Sequence, residues 1–229
     1  MTNFHSLKVL FIGNSATERN DIPQTFARLA SRAGYAVKAF ALVQDNAKLA
    51  EFADPTSERG QMALNAIEGN DYDIVFLQGH SGCFTTEQKR ELCIDACKAL
   101  DALIKDTGAK TYFYVRPPLE RDLKGYDTYS QCVEYDKLFV EIATDLGATN
   151  VYVNRAFAYA MKNLDVQLWG SDNAHTSIEG AYLVACVFFA TVFNTSATVL
   201  DSNGLPDDVA RSLQKAADKV ALEGFELEY

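Results

Sequence analysis

The segment Asp73–Gln78 (DIVFLQ) constrains the fold more than any other stretch of the chain. It is short, apolar throughout its middle, and shows no alternation of polar and apolar residues. A strand of that kind needs cover on both faces, which is the situation of a central strand in a parallel sheet. Four other runs read as strands: Lys8–Ile12 (KVLFI), Ala36–Val43 (AVKAFALV), Lys110–Arg116 (KTYFYVR) and Thr149–Val153 (TNVYV). Helical stretches separate them. Ile22–Ala33 stops before Gly34, Ser57–Glu68 stops at Gly69-Asn70, Thr86–Asp106 starts on a capping Thr86, and Thr128–Leu146 follows the break at Pro117-Pro118. Beyond the fifth strand come a short helix, an irregular stretch, and helices over Ser177–Phe193 and Asp207–Glu223. Strands alternating with helices of this length form βαβ units. The expected architecture is therefore a three-layer α/β/α sandwich around a five-stranded parallel sheet of flavodoxin-like topology. In such sheets ligands bind outside the carboxyl ends of the strands.

No repeat, low-complexity tract or Pro/Gly/Ser-rich linker divides the 229 residues, so residues 1–229 are expected to form one domain. A hydrophobic content of 48% is enough for a substantial core. The net charge of −10 argues against a nucleic-acid backbone or an anionic membrane surface as partner. The longest apolar block, Ala181–Phe193, falls short of the roughly 18 residues expected of a membrane span. No apolar leader-like stretch opens the sequence, which fits a cytoplasmic setting with reduced thiols. The cysteines (Cys83, Cys93, Cys97, Cys132, Cys186) form no CxxC pair. Cys93 and Cys97 lie one helical turn apart, but nothing completes a zinc set. No metal and no cofactor are expected.

Candidate chemistry lies at the strand ends. The first strand runs into Gly13-Asn14-Ser15-Ala16-Thr17. A serine there is placed for nucleophilic attack beside backbone N–H groups that steady negative charge, although a helix N-cap is the commoner use of such a serine. Asp172-Asn173-Ala174-His175 precedes the late apolar helix. A carboxylate three residues before a histidine on one loop can fix its tautomer and stabilise the imidazolium. His5 belongs to the N-terminal tail, and His80 follows the third strand.

KVLFIGNS, DIVFLQGHS and SDNAHTSIEGAYLVA, in that order on an alternating α/β chain, resemble the SGNH (GDSL-like) hydrolase family over roughly Lys8 to Phe193. The resemblance implies hydrolysis of a carboxylic ester through an acyl-enzyme. Ser15 of Gly13-Asn14-Ser15 is then the nucleophile, His175 the general base and Asp172 its orienting carboxylate. It also implies an oxyanion hole. The Ser15 N–H supplies one donor. The block after the second strand usually supplies a glycine N–H, but here it reads Gln44-Asp45-Asn46-Ala47, and Asn46 is the expected occupant because asparagine tolerates unusual backbone angles. The third block, Gln78-Gly79-His80-Ser81, is nearest to the carbohydrate and sialate acetylesterase branch. It offers the Gln78 amide as donor, with His80 as the alternative; a polar strand end bonded to backbone is the competing reading of Gln78. Asn14, His80 and Ser81 are further residues expected around the substrate. That branch tilts the expected substrate towards short acyl groups, such as acetyl esters on sugars; thioester hydrolysis on the same triad is the nearest alternative.

Two rival readings compete. Gly79-His80-Ser81-Gly82-Cys83 mimics the GxSxG elbow of α/β-hydrolases and would make Ser81 the nucleophile. Cys83 replaces its last glycine, and an acid three residues from the histidine does not suit that fold. The other rival is a non-catalytic, flavodoxin-like phosphate- or nucleotide-binding module using the Gly13–Thr17 loop, which lacks a GxxxxGK pattern. Tyr126, Tyr129 and Arg121, around the loop after Pro117-Pro118, are expected to be solvated rather than part of a cleft.

Overall fold

The computed structural model describes residues 6–229; His5 lies outside the described residues. Five parallel strands, β1 (Leu7–Gly13), β2 (Val37–Val43), β3 (Ile74–Gln78), β4 (Lys110–Val115) and β5 (Thr149–Tyr152), form one sheet in the order β2-β1-β3-β4-β5. Chain order reverses between β1 and β3, and a crevice opens there at the carboxyl ends of the strands. The α/β sandwich expected from the sequence is the observed fold.

Side chains alternate across the sheet, and two cores result. Val9, Phe11, Ile74, Phe76 and Tyr114 face one layer, made of α2 (Ile22–Arg32), α7 (Val153–Asn163), α8 (Ile178–Phe193) and α9 (Asp207–Ala221). Leu10, Ile12, Val75, Leu77 and Phe113 face the other, made of α3 (Leu49–Ala53), α4 (Glu58–Glu68), α5 (Glu87–Asp106) and α6 (Thr128–Leu146). All five residues of β3 are buried, as its unbroken apolar sequence demands. Phe11 and Phe76 stack at 4.5 Å, and Phe188 of α8 meets both edge-on. Helix α8 is buried along most of its length, which is why its sequence carries no polar stripe.

Thr86 caps its helix as expected, accepting from the Lys89 N–H, and Ser57 and Ser177, read as first helical residues, prove to be caps that accept from the N–H groups of Gly60 and Gly180. Two details differ from expectation. Strand β5 passes directly into α7 with no loop, giving an 11-residue helix where a short one was expected. The short α1 (Ser15–Glu18) and α3 are helices too brief to leave a periodic pattern in sequence. Among the described residues no helix is long and apolar enough to cross a membrane. All five cysteines are buried and unpaired.

Candidate active site

Ser15 opens α1, directly beyond β1. Asn14 caps that turn by accepting from the Ala16 N–H at 3.1 Å, and its amide donates to the Ala47 carbonyl at 3.0 Å, which fixes the loop after β2. Gly13 is required underneath: a Cβ there would lie 2.7 Å from Thr17 Oγ1 and 2.8 Å from Gln78 Oε1.

The histidine loop is held as firmly. Trp169 and Thr176 form an antiparallel bridge, the Gly170 N–H donates to the His175 carbonyl at 2.9 Å, and Trp169 Nε1 donates to the Pro118 carbonyl at 2.9 Å. Gly180 lets α8 begin against this loop, since a Cβ would fall 2.1 Å from the Leu168 carbonyl oxygen. Asn20, in a left-handed conformation at φ 58°, reaches from the serine loop to the Thr176 carbonyl at 2.6 Å. That bond joins the two halves of the site across 156 residues of sequence.

Ser15 Oγ lies 2.9 Å from His175 Nε2, and His175 Nδ1 lies 2.6 Å from Asp172 Oδ2. Asp172 Oδ1 also accepts from the backbone N–H groups of His175 and Ala174, each at 3.0 Å. These bonds, the His175 N–H first among them, hold the Asp172 carboxyl well below its ordinary range. Asp172 is therefore an acceptor only, and the proton on the imidazole must sit on Nδ1. The lone pair of Nε2 then faces the serine hydroxyl. This arrangement can take a proton from Ser15 and stabilise the imidazolium that results.

Ser81, the rival nucleophile, lines the same cleft, but His175 is bonded to Ser15 and not to Ser81. The Ser81 carbonyl accepts from Tyr135 Oη at 2.8 Å. The Gly13–Thr17 loop is equally poor as a phosphate cradle: α1 has four residues, the Ala16 N–H is bonded to Asn14, and the Thr17 hydroxyl to Gln78.

Gln78 requires a correction. Expected to donate into an oxyanion hole, it is 1% exposed and lies beneath the Ser15 loop. Its Oε1 accepts from the Asn14 N–H and the Thr17 hydroxyl, each at 3.1 Å, and its Nε2 donates to the Gly79 carbonyl. Buried and absent from the lining of the cleft, Gln78 stands as a strut under that loop. Sequence reasoning left this reading open as the rival, because a polar strand end reads alike whether its side chain turns inward or outward.

Asn46 does reach the cleft, with φ at 54° as its replacement of a glycine requires. The Gly82 N–H donates to His80 Nδ1 at 3.1 Å, so His80 carries its proton on Nε2 and donates to Asn46 Oδ1 at 3.0 Å. Burial, then the nearby Arg116 guanidinium, lowers the His80 pKa from its ordinary 6.5. Among the described residues, the N–H groups of Ser15 and Asn46 and the Asn46 carboxamide nitrogen have no protein partner. The cleft holds about 140 Å³ and is also lined by Arg116 and Arg121. Arg121 was expected in solvated loop and instead faces the cleft, whereas Tyr126 packs on Phe84 at 5.2 Å and Tyr129 is exposed. His80 also lines a second cavity of about 330 Å³ with an apolar wall that includes Leu49 and Leu92, and with Lys48 and Lys89. No group of residues suited to a metal occurs among the described residues.

Similarity to solved structures decides the fold family. A candidate SGNH hydrolase from Slackia heliotrinireducens superposes with a TM-score of 0.70 at 23% identity, covering 82% of this chain and 100% of that one. The fold is that of the SGNH hydrolases. A DUF4886 family protein from Bacteroides uniformis matches the SGNH-fold chain with a TM-score of 0.78 at 15% identity, covering 98% of each. A Geobacillus acetyl-xylooligosaccharide esterase variant gives 0.60 at 14%, covering 81% of this chain and 94% of its own. No protein-family model and no curated protein matches the sequence.

Proposed function

We propose that the protein is a serine hydrolase that cleaves a short-chain carboxylic ester through an acyl-enzyme. The observation that carries this reading is the unbroken hydrogen-bonded series Ser15–His175–Asp172 at the carboxyl ends of the strands. Ser15 Oγ attacks the ester carbonyl as its proton passes to His175 Nε2, and the imidazolium, oriented by Asp172, returns that proton to the leaving alcohol. Water then attacks the acyl group by the same route in reverse. The N–H groups of Ser15 and Asn46 receive the oxyanion. The Asn46 carboxamide, its oxygen held by His80, supplies the third donor in place of Gln78. Ser15 borders both this cleft of about 140 Å³ and an open cavity of about 530 Å³ lined by Glu18, Arg19, Asn20 and Asp45, so the preference for acetyl esters rests on the likeness of Gln78-Gly79-His80-Ser81 to the acetylesterase branch.

A serine-directed phosphonate tests this directly. The label should appear, by peptide mass spectrometry, on the peptide carrying Gly13–Thr17 and vanish in Ser15→Ala. A label on the peptide carrying Gly79–Cys83 would transfer the chemistry to Ser81, and no label at all would remove the hydrolase reading.

A further inference from the structure

Two arginines are buried in this protein, and they are treated differently. Arg155, 7% exposed, forms a two-point ion pair with Asp136, Nε to Oδ1 at 2.7 Å and Nη2 to Oδ2 at 2.9 Å, and lies 3.8 Å over the ring of Tyr152. Its charge is fully compensated. Arg116, 4% exposed at the end of β4, has one hydrogen bond, from Nε to the Pro117 carbonyl at 3.0 Å. Among the described residues no carboxylate forms an ion pair with it. A buried guanidinium without a counter-charge is costly, and the Arg116 Nη atoms are not among the enclosed unpaired polar atoms, so its charged end opens on the cleft.

Arg116 lines the cleft that holds Ser15 and His175, and exposed Arg121 lines it too. Asp45 is the carboxylate on that lining, and it is exposed and not paired with Arg116. A cationic wall in a chain of net charge −10 is a local exception to the composition.

Building on the ester-hydrolase reading, we infer that Arg116, assisted by Arg121, binds a carboxylate on the substrate: the ester is acidic, with a free carboxylate a few atoms from the scissile carbonyl. The planar fork of the guanidinium matches a carboxylate at two points, and Arg116 shares the lining of one cleft with Ser15 and His175. The carboxylate belongs either to the acyl part, as in a dicarboxylic half-ester, or to the alcohol part, as in an acylated hydroxy acid.

Two matched pairs of esters separate these sources: 4-nitrophenyl hydrogen succinate against its methyl ester, and O-acetyl-lactate against its methyl ester. In one pair kcat/KM for the acid should exceed that for the methyl ester by about 10- to 100-fold, the scale of a charge-assisted two-point contact. The favoured pair names the side. In Arg116→Gln the acid-to-ester ratio should fall towards one, and in Arg121→Ala it should fall by a smaller factor. Equal rates within both pairs for the wild-type protein overturn the inference, and phosphonate labelling of Ser15 in the same sample leaves the hydrolase reading intact. A thermal-shift titration with succinate works without turnover: it should raise the Tm of the wild-type protein and leave Arg116→Gln unmoved. No shift in the wild-type protein counts against the anion site whatever the fate of the catalytic reading.

Discussion

Asp172→Asn separates the geometric from the electrostatic role of the carboxylate in the proposed triad. In the structure Oδ1 is occupied by two backbone N–H groups and Oδ2 by His175 Nδ1–H. An asparagine that keeps its oxygen on the two N–H groups must turn its NH₂ towards Nδ1. Nδ1 then accepts, the ring proton moves to Nε2, and His175 can no longer take the Ser15 proton. Turning the amide over restores the tautomer but points NH₂ at the two backbone donors. Two hydrogen bonds are lost, at about 1 kcal/mol each, so the wrong tautomer is preferred by about 2 kcal/mol, or roughly 30-fold. Loss of the carboxylate charge beside the imidazolium removes further stabilisation, which we place at about 1–2 kcal/mol because the Asp172 side chain is 48% exposed and screened by water. The expected fall in kcat is about 10²–10³-fold with little change in KM, since the substrate does not touch Asp172. Steady-state hydrolysis of an aryl acetate measures it, with circular dichroism verifying the fold. A folded variant whose kcat lies within about fivefold of wild type would refute the tautomer reasoning.

Two further predictions concern the third block. Gln78→Ala leaves the buried Asn14 N–H and Thr17 hydroxyl without an acceptor, so urea unfolding should reveal a loss of about 2–4 kcal/mol; an unchanged midpoint with a 10²-fold fall in kcat would return Gln78 to the oxyanion hole. His80 has a folded pKa below its ordinary 6.5, so its neutral form is the one the fold prefers. That contribution is complete above pH 6.5 and is lost as the pH falls below it, because the unfolded chain takes up the proton first. Between pH 8 and pH 5 the Tm of His80→Gln should therefore fall less than that of wild type, and equal falls would discard the burial argument.

Much of the fold could be read from the sequence because its signals are local. The unbroken apolar β3, the capping Thr86, and the stop at Gly34 each need only a few neighbours to act. What escaped was decided by contacts between distant segments. Helix α7 is stabilised on its buried face by tertiary packing, including Phe157 on Trp169 at 5.3 Å, a residue 12 positions on. The four-residue α1 exists because Asn14 caps it and Gln78 supports it from another strand.

The site divides along the same line. Asp172 and His175 could be paired from sequence because they share a loop, whereas Ser15 joined them only through the resemblance of Gly13-Asn14-Ser15 to the SGNH motif. Gln78 could not be resolved, since its orientation depends on whether the space beneath Gly13 is filled by a side chain, and glycine leaves it open. The same physics explains why Arg116 passed unnoticed: in sequence it is one more cation at a strand end, and only burial without a carboxylate gives it meaning. Asn20 adds a related point. Its bond to the Thr176 carbonyl ties the Ser15 loop to the His175 loop, so the 2.9 Å Ser15–His175 contact is supported by a residue with no chemistry of its own. Residues that react can be suspected from their type. Residues that place them can be identified only when the partner is known, because the same asparagine would otherwise satisfy water.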